Sequence, residues 1–130
     1  MLNILVVDDS KSARNRVVKT LDNLKLDCNI VATAEDGVDA LKKYLQFKPN
    51  LVITDIEMPN MDGAELISNL KKLNSSLPVV AITSLVNEKI KQTLMAYQLV
   101  YVVHKPIDVQ LLSVILIKFK NELQSVKGEE

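Results

Sequence analysis

Five short runs dense in Val and Ile, each followed by a stretch of helical length, constrain this chain more than any other feature. The runs are Ile4–Val7, Asn29–Thr33, Leu51–Thr54, Val79–Thr83 and Tyr101–Val103. Four of them lack polar alternation, as expected of strands covered on both faces. Between the runs lie helical signals. Ser10 or Ser12 caps a helix through about Leu24, with Ala13, Val17, Thr20, Leu21 and Leu24 at helical spacing. Thr33 to Asp36 offers a start for a second helix carrying Val38, Leu41 and Leu45, which stops before Pro49. Gly63 precedes a third with Leu66, Ile67, Leu70 and Leu73; Asn87 caps a fourth; Ile107-Asp108 opens a fifth. Strands that alternate with helices in this way lie parallel, joined by right-handed crossovers. The expected fold is a doubly wound α/β sheet with helices on both faces.

The length of 130 residues is enough for one domain that buries about two-thirds of its unfolded surface. The expected domain covers residues 1–125, with a frayed tail over 126–130. Sixteen basic and sixteen acidic residues cancel, which argues against direct nucleic-acid binding. Cys28 is the one cysteine, so no internal disulfide forms and a reducing cytoplasm is the expected compartment. It reads as a small apolar filler. No apolar stretch approaches the roughly 18–20 residues of a membrane span.

In an open parallel sheet all carboxyl ends share one edge, where such folds place their sites. Asp8 and Asp9 close the first strand, Asp55 the third and Thr83 the fourth, while Lys105 follows the fifth. Three carboxylates in one crevice repel one another unless a cation sits among them. All-oxygen ligation suits Mg²⁺ or Mn²⁺ better than zinc, which favours His or Cys. A divalent ion can bring a phosphoryl donor to a carboxylate nucleophile, giving an acyl phosphate. Lys105 adds a point charge for a phosphoryl oxygen and Thr83 a hydroxyl. No glycine-rich nucleotide loop and no Ser-His-Asp set accompany these residues.

The stretches "ILVVDDS", "LVITDIEMPNMDG", "VVAITS" and "HKP", in this order and spacing, resemble the receiver domain of bacterial response regulators, the CheY-like family. The likeness runs from Leu2 to about Leu123. It implies a flavodoxin-like (βα)5 domain with strand order 2-1-3-4-5. It also implies Asp55 as the phosphoacceptor, and Mg²⁺ held by Asp9, Asp55 and the backbone carbonyl of Glu57, with Asp8 acting through water. Thr83 becomes the switch hydroxyl and Lys105 the phosphate-binding cation. Met58-Pro59 shapes the loop after the acceptor, Gly63 permits a tight entry into the third helix, and Lys105-Pro106 is a candidate cis peptide. The implied donor is a histidine kinase or histidine phosphotransfer protein. The function expected is that of a phosphorelay receiver, not an enzyme in its own right, in a two-component and chemotaxis-like system.

Two features depart from the pattern. Relatives carry Tyr or Phe three residues before the lysine, where this chain has Val102; Tyr101 serves as switch aromatic only if a bulge, with His104 as the inserted residue, resets the register. "YQLVY" also replaces the usual Gly-Ala before the fifth strand. His104 itself reads as solvent-facing or packing. Glu57 is solvated or borders the phosphoryl group. In the fifth helix, Leu112, Ile115, Leu116, Phe119 and Leu123 form the sheet-facing stripe. Leu111, Val114 and Ile117 fall elsewhere and mark a partner or dimer face with the fourth helix and fifth strand. The rivals are a phosphorylation-independent interaction module and a magnesium-dependent phosphatase with Glu57 as its second acid. The chain is expected to be either a stand-alone receiver or a piece of a longer regulator.

Overall fold

The computed structural model describes residues 1–84 and 88–129, with side chains through Leu123. The chain runs β1 (Leu2–Val7), α1 (Lys11–Leu24), β2 (Cys28–Ala34), α2 (Gly37–Phe47) and β3 (Leu51–Asp55). It continues through α3 (Gly63–Leu73), β4 (Val79–Thr83), α4 (Glu88–Met95), β5 (Val100–His104) and α5 (Val109–Glu129). All strand pairs are parallel, in the order β2-β1-β3-β4-β5. The doubly wound topology expected from the alternation is therefore observed.

Side chains alternate across the sheet and divide its core in two. Leu5, Val7, Val52, Val79 and Ala81 pack under α2, α3 and α4 with Ala40, Leu66, Ile67, Leu70 and Leu94. Leu2, Ile4, Val6, Leu51, Ile53, Val80 and Ile82 pack on the opposite face under α1 and α5, with Val17, Leu21, Leu112, Leu116 and Phe119. Strands β3 and β4 are buried at every position, which explains their unbroken apolar character. Phe119 is 2% exposed and is among the largest fully closed-over side chains at the α5–sheet contact.

Local chemistry sets the helix starts. Ser10 caps α1, its hydroxyl accepting from the Ala13 amide at 3.3 Å. Asp36 and Asp62 cap α2 and α3 in the same way, accepting from Asp39 and Glu65 amides at 2.7 and 2.8 Å. Each such cap is worth about 1 kcal/mol. Gly63 is thus the first residue of α3 and not a spacer before it. The fourth-helix cap expected at Asn87 lies outside the described residues. The α5 backbone stays helical to Glu129, beyond the apolar stripe that ends at Leu123, since periodicity marks only the packed turns.

Candidate functional site

Strand ends and the loops after them build the site. β1 delivers Asp8 and Asp9, β3 delivers Asp55, β4 delivers Thr83 and Ser84, and the turn after β5 delivers Lys105. One carboxylate oxygen from each of Asp8, Asp9 and Asp55 lies within 4.8 Å of the others. Asp8 and Asp55 are buried and Asp9 is exposed, so the cluster opens to solvent on one side. The Lys105 ammonium sits 3.1 Å from Asp55 Oδ2 and 3.5 Å from Asp8 Oδ2. A crevice of about 520 Å³ opens over these groups, bounded also by Arg16, Glu57, Ser84 and Pro106.

The electrostatics follow from the crowding. Burial pushes the Asp8 carboxyl above its ordinary range; the Ser10 amide, donating to it at 2.9 Å, opposes this, and the charge of Asp55 adds to it. Burial alone would lower Lys105, but its bond to Asp55 and the charges of Asp55 and Asp8 outweigh burial and raise it. Among the described residues Lys105 is the one cation that pairs with acids of this triad, so the triad retains an excess of negative charge. That excess, with oxygen donors only, fits a hard divalent cation such as Mg²⁺ or Mn²⁺.

Several contacts hold this arrangement without being chemical participants. Arg14 donates from Nη1 to the Asp8 carbonyl at 2.7 Å, fixing the end of β1. The Glu57 amide donates to Asp55 Oδ1 at 3.2 Å, and the Ser84 hydroxyl donates to Glu57 Oε1 at 2.8 Å across the mouth. The Lys105 amide donates to the Thr83 carbonyl at 2.8 Å, so the lysine is positioned by β4 as well as by β5. The Lys105-Pro106 peptide is cis. Gly63 donates its amide to the Ile56 carbonyl at 2.8 Å and packs directly on the backbone after Asp55. A Cβ there would lie 2.3 Å from the Asp55 carbonyl oxygen, so only glycine lets α3 approach this closely.

The structure brings together Asp8, Asp9, Asp55 and Lys105, and places Thr83 buried at the same edge. Tyr101 is not among them. β4 and β5 pair without a register shift, Val80 opposite Tyr101 and Thr83 opposite His104. With no bulge, Tyr101 stays on the α5 side, edge-on to Phe119 at 5.4 Å between ring centres, its hydroxyl accepting from Lys118 at 2.8 Å. Val102 occupies the Thr83 side of the sheet. The expectation of Tyr101 as switch aromatic is thus corrected, because successive strand residues face opposite ways. His104 is exposed, and Cys28 is half-buried against the α5-side core. Ser84, Arg14 and Arg16 were not anticipated. Arg16 had a signal, since it lies one turn beyond the Ser12 position on α1; Ser84 had only its adjacency to Thr83.

A family model described as the response regulator receiver domain matches residues 4–116. This chain belongs to that family. As a receiver domain it is 32% identical over 124 residues to protein-glutamate methylesterase/protein-glutamine glutaminase 2 of Nitratidesulfovibrio vulgaris, covering 95% of this chain and 33% of that protein. It is 32% identical over 125 residues to the sensor histidine kinase RcsC of Salmonella typhimurium, covering 96% of this chain and 13% of that one. The chain thus spans a third or less of the length of these curated relatives. Among solved structures, the REC domain of AraT, a response regulator from Geobacillus stearothermophilus, superposes with a TM-score of 0.85 at 26% identity, over 97% of this chain and 98% of that one. The CheX–CheY–BeF3–Mg²⁺ complex from Borrelia burgdorferi contains a chain that superposes with a TM-score of 0.82 at 26% identity, covering 91% and 88%. The receiver domain carries no helix among the described residues long and apolar enough to cross a membrane.

Proposed function

We propose that this receiver domain accepts a phosphoryl group on Asp55 from a phosphohistidine donor and signals by a change of shape. The observation that carries this reading is the buried Asp55 carboxylate, held between Lys105 at 3.1 Å and the carboxylates of Asp8 and Asp9. Asp9 and Asp55, with the Glu57 carbonyl, would hold Mg²⁺, and Asp8 would act through water. The ion supplies charge neutralisation for the oxygens of the transferring group. Asp55 offers a carboxylate oxygen as nucleophile. Lys105, already among the acids, is placed to take a phosphoryl oxygen, and Thr83 offers its hydroxyl from the neighbouring strand end. The side chains present support phosphoryl acceptance, and turnover of a separate substrate is not part of the proposal. A histidine kinase or phosphotransfer protein in the cytoplasm is the proposed donor.

The test is intact-protein mass after incubation with acetyl phosphate, with and without Mg²⁺. A gain of one phosphoryl group that requires Mg²⁺ is expected. No gain with folded protein, from acetyl phosphate and from a phosphohistidine donor alike, would favour the phosphorylation-independent module. Val102 on the Thr83 side of the sheet is the observation that points to that second reading.

Mg²⁺ alone should also stabilise the fold, because it binds the native acid cluster and not the unfolded chain. At one hundred times its Kd the gain is about 2.7 kcal/mol. Thermal melts should rise by roughly 10 °C, and Asp9→Asn should remove most of that rise. An equal rise in Asp9→Asn would place the ion elsewhere.

The output face is proposed to combine α4, β5 and α5. Leu111, Val114 and Ile117 stand exposed on α5 at 41%, 64% and 41%, with Val109 and Met95 also exposed. Apolar side chains gathered at helical spacing mark a partner surface. Sedimentation should detect self-association that strengthens on phosphorylation and disappears in Val114→Asp. A monomer at every concentration in both states would exclude self-association and leave a heterologous target.

A further inference from the structure

Far from the acid cluster, at the amino-terminal edge of the sheet, Lys71 is buried at 8% exposure on the last turn of α3. Its ammonium donates to the Ser75 carbonyl at 3.3 Å, to the Leu77 carbonyl at 2.5 Å, and to the Gln98 carbonyl. No acidic side chain pairs with it among the described residues, and burial lowers its pKa. An ionised lysine in such a place is retained only where all three of its donors are used. Here they tie together three separate segments: the end of α3, the approach to β4 and the α4–β5 corner.

The corner it grips is itself unfavourable. Leu99, directly after Gln98, has φ 62, in the left-handed region that branched L-residues avoid. Its carbonyl nevertheless accepts from the Val79 amide at 3.0 Å, joining the start of β5 to the start of β4. A conformation of this kind persists only where its surroundings over-determine it. The Gln98 carbonyl is the group immediately upstream, and Lys71 fixes it.

We infer that Lys71 is a cationic clamp that holds Leu99 in its left-handed conformation and anchors the carboxyl-terminal end of α4. The clamp is a positioning device, since Lys71 touches none of the site residues.

Amide hydrogen exchange on the full chain tests this. In the wild type, the Ala96, Tyr97 and Val79 amides, which bond to Gln92, Leu94 and Leu99 carbonyls, should be well protected. Lys71→Met should speed their exchange about tenfold or more, since about 1.4 kcal/mol is near the lower end for a hydrogen bond to a charged group. The β1 and β3 amides should change less than twofold. Equal acceleration throughout the sheet would make Lys71 merely a stabilising residue and overturn the clamp, as would unchanged exchange at the corner. Leu99→Gly supplies the independent arm, because glycine needs no restraint at positive φ. In that background Lys71→Met should speed corner exchange clearly less than in the wild type. An undiminished effect would show that Lys71 does not hold Leu99. Should Lys71→Met not fold, the same comparison made with Lys71→Gln decides between these outcomes.

Discussion

Asp55→Asn should lose all labelling by acetyl phosphate while keeping the wild-type fold. The amide cannot offer the anionic oxygen that an acyl phosphate requires, and no other acid in the crevice has the same position beside Lys105. Asp8 is 3.5 Å from that lysine, and Asp9 is exposed at the rim. The expected cost in stability is small, because two effects oppose each other. The substitution removes a charge partner of Lys105, which destabilises. It also relieves the crowding of Asp55 against Asp8, one of the causes that raise the Asp8 carboxyl. Intact mass and a thermal melt on the same preparation check both halves. Residual Mg²⁺-dependent labelling in the folded variant would move the acceptor to another carboxylate.

Gly63→Ala should be the most damaging small substitution near the site. The new Cβ would fall 2.3 Å from the Asp55 carbonyl oxygen and 2.6 Å from the Ile56 Cα, and neither backbone atom can yield without moving the acceptor loop. Overpacking of this kind costs about 3 kcal/mol, or roughly 10 °C in Tm for a domain of this size. Labelling of Asp55 should slow as well, since the displaced backbone carries the nucleophile. Gly37→Ala is the matched control. Its Cβ would meet Met61 Sδ, Cβ and Cγ at 2.6–2.7 Å; Sδ and Cγ can swing aside, but Cβ moves only with the Met61 backbone. The melt of Gly37→Ala should therefore fall as well, but labelling of Asp55 should hold, because the backbone that yields there does not carry the nucleophile. Equal slowing of labelling at the two glycines would mean that the effect does not pass through the Asp55 backbone.

Much of this was legible in the residues because it depends on local rules. The buried strands β3 and β4 declared themselves through unbroken Val and Ile, and the cap at Ser10 through a side chain that competes for helix amides. Once the alternation fixed a parallel sheet, the meeting of Asp8, Asp9, Asp55 and Lys105 followed from strand direction alone. The α5 stripe from Leu112 to Leu123 and the exposed Leu111, Val114 and Ile117 followed from the 3.6-residue period.

The face presented by Tyr101 was not legible in this way. A one-residue shift in β5 would have turned it toward Thr83, and register is set by pairing with β4, which one strand's sequence does not encode. Lys71 was equally silent. It reads as one of two adjacent lysines at the end of an amphipathic helix, and only the convergence of the Ser75, Leu77 and Gln98 carbonyls makes one of them a buried clamp. The sequence by itself determined the strand direction, and hence the edge where the acids gather, because hydrophobic period and helix caps are read from neighbouring residues. Only the tertiary structure decided which face Tyr101 presents and which lysine is buried, because both depend on distances between segments far apart in the chain.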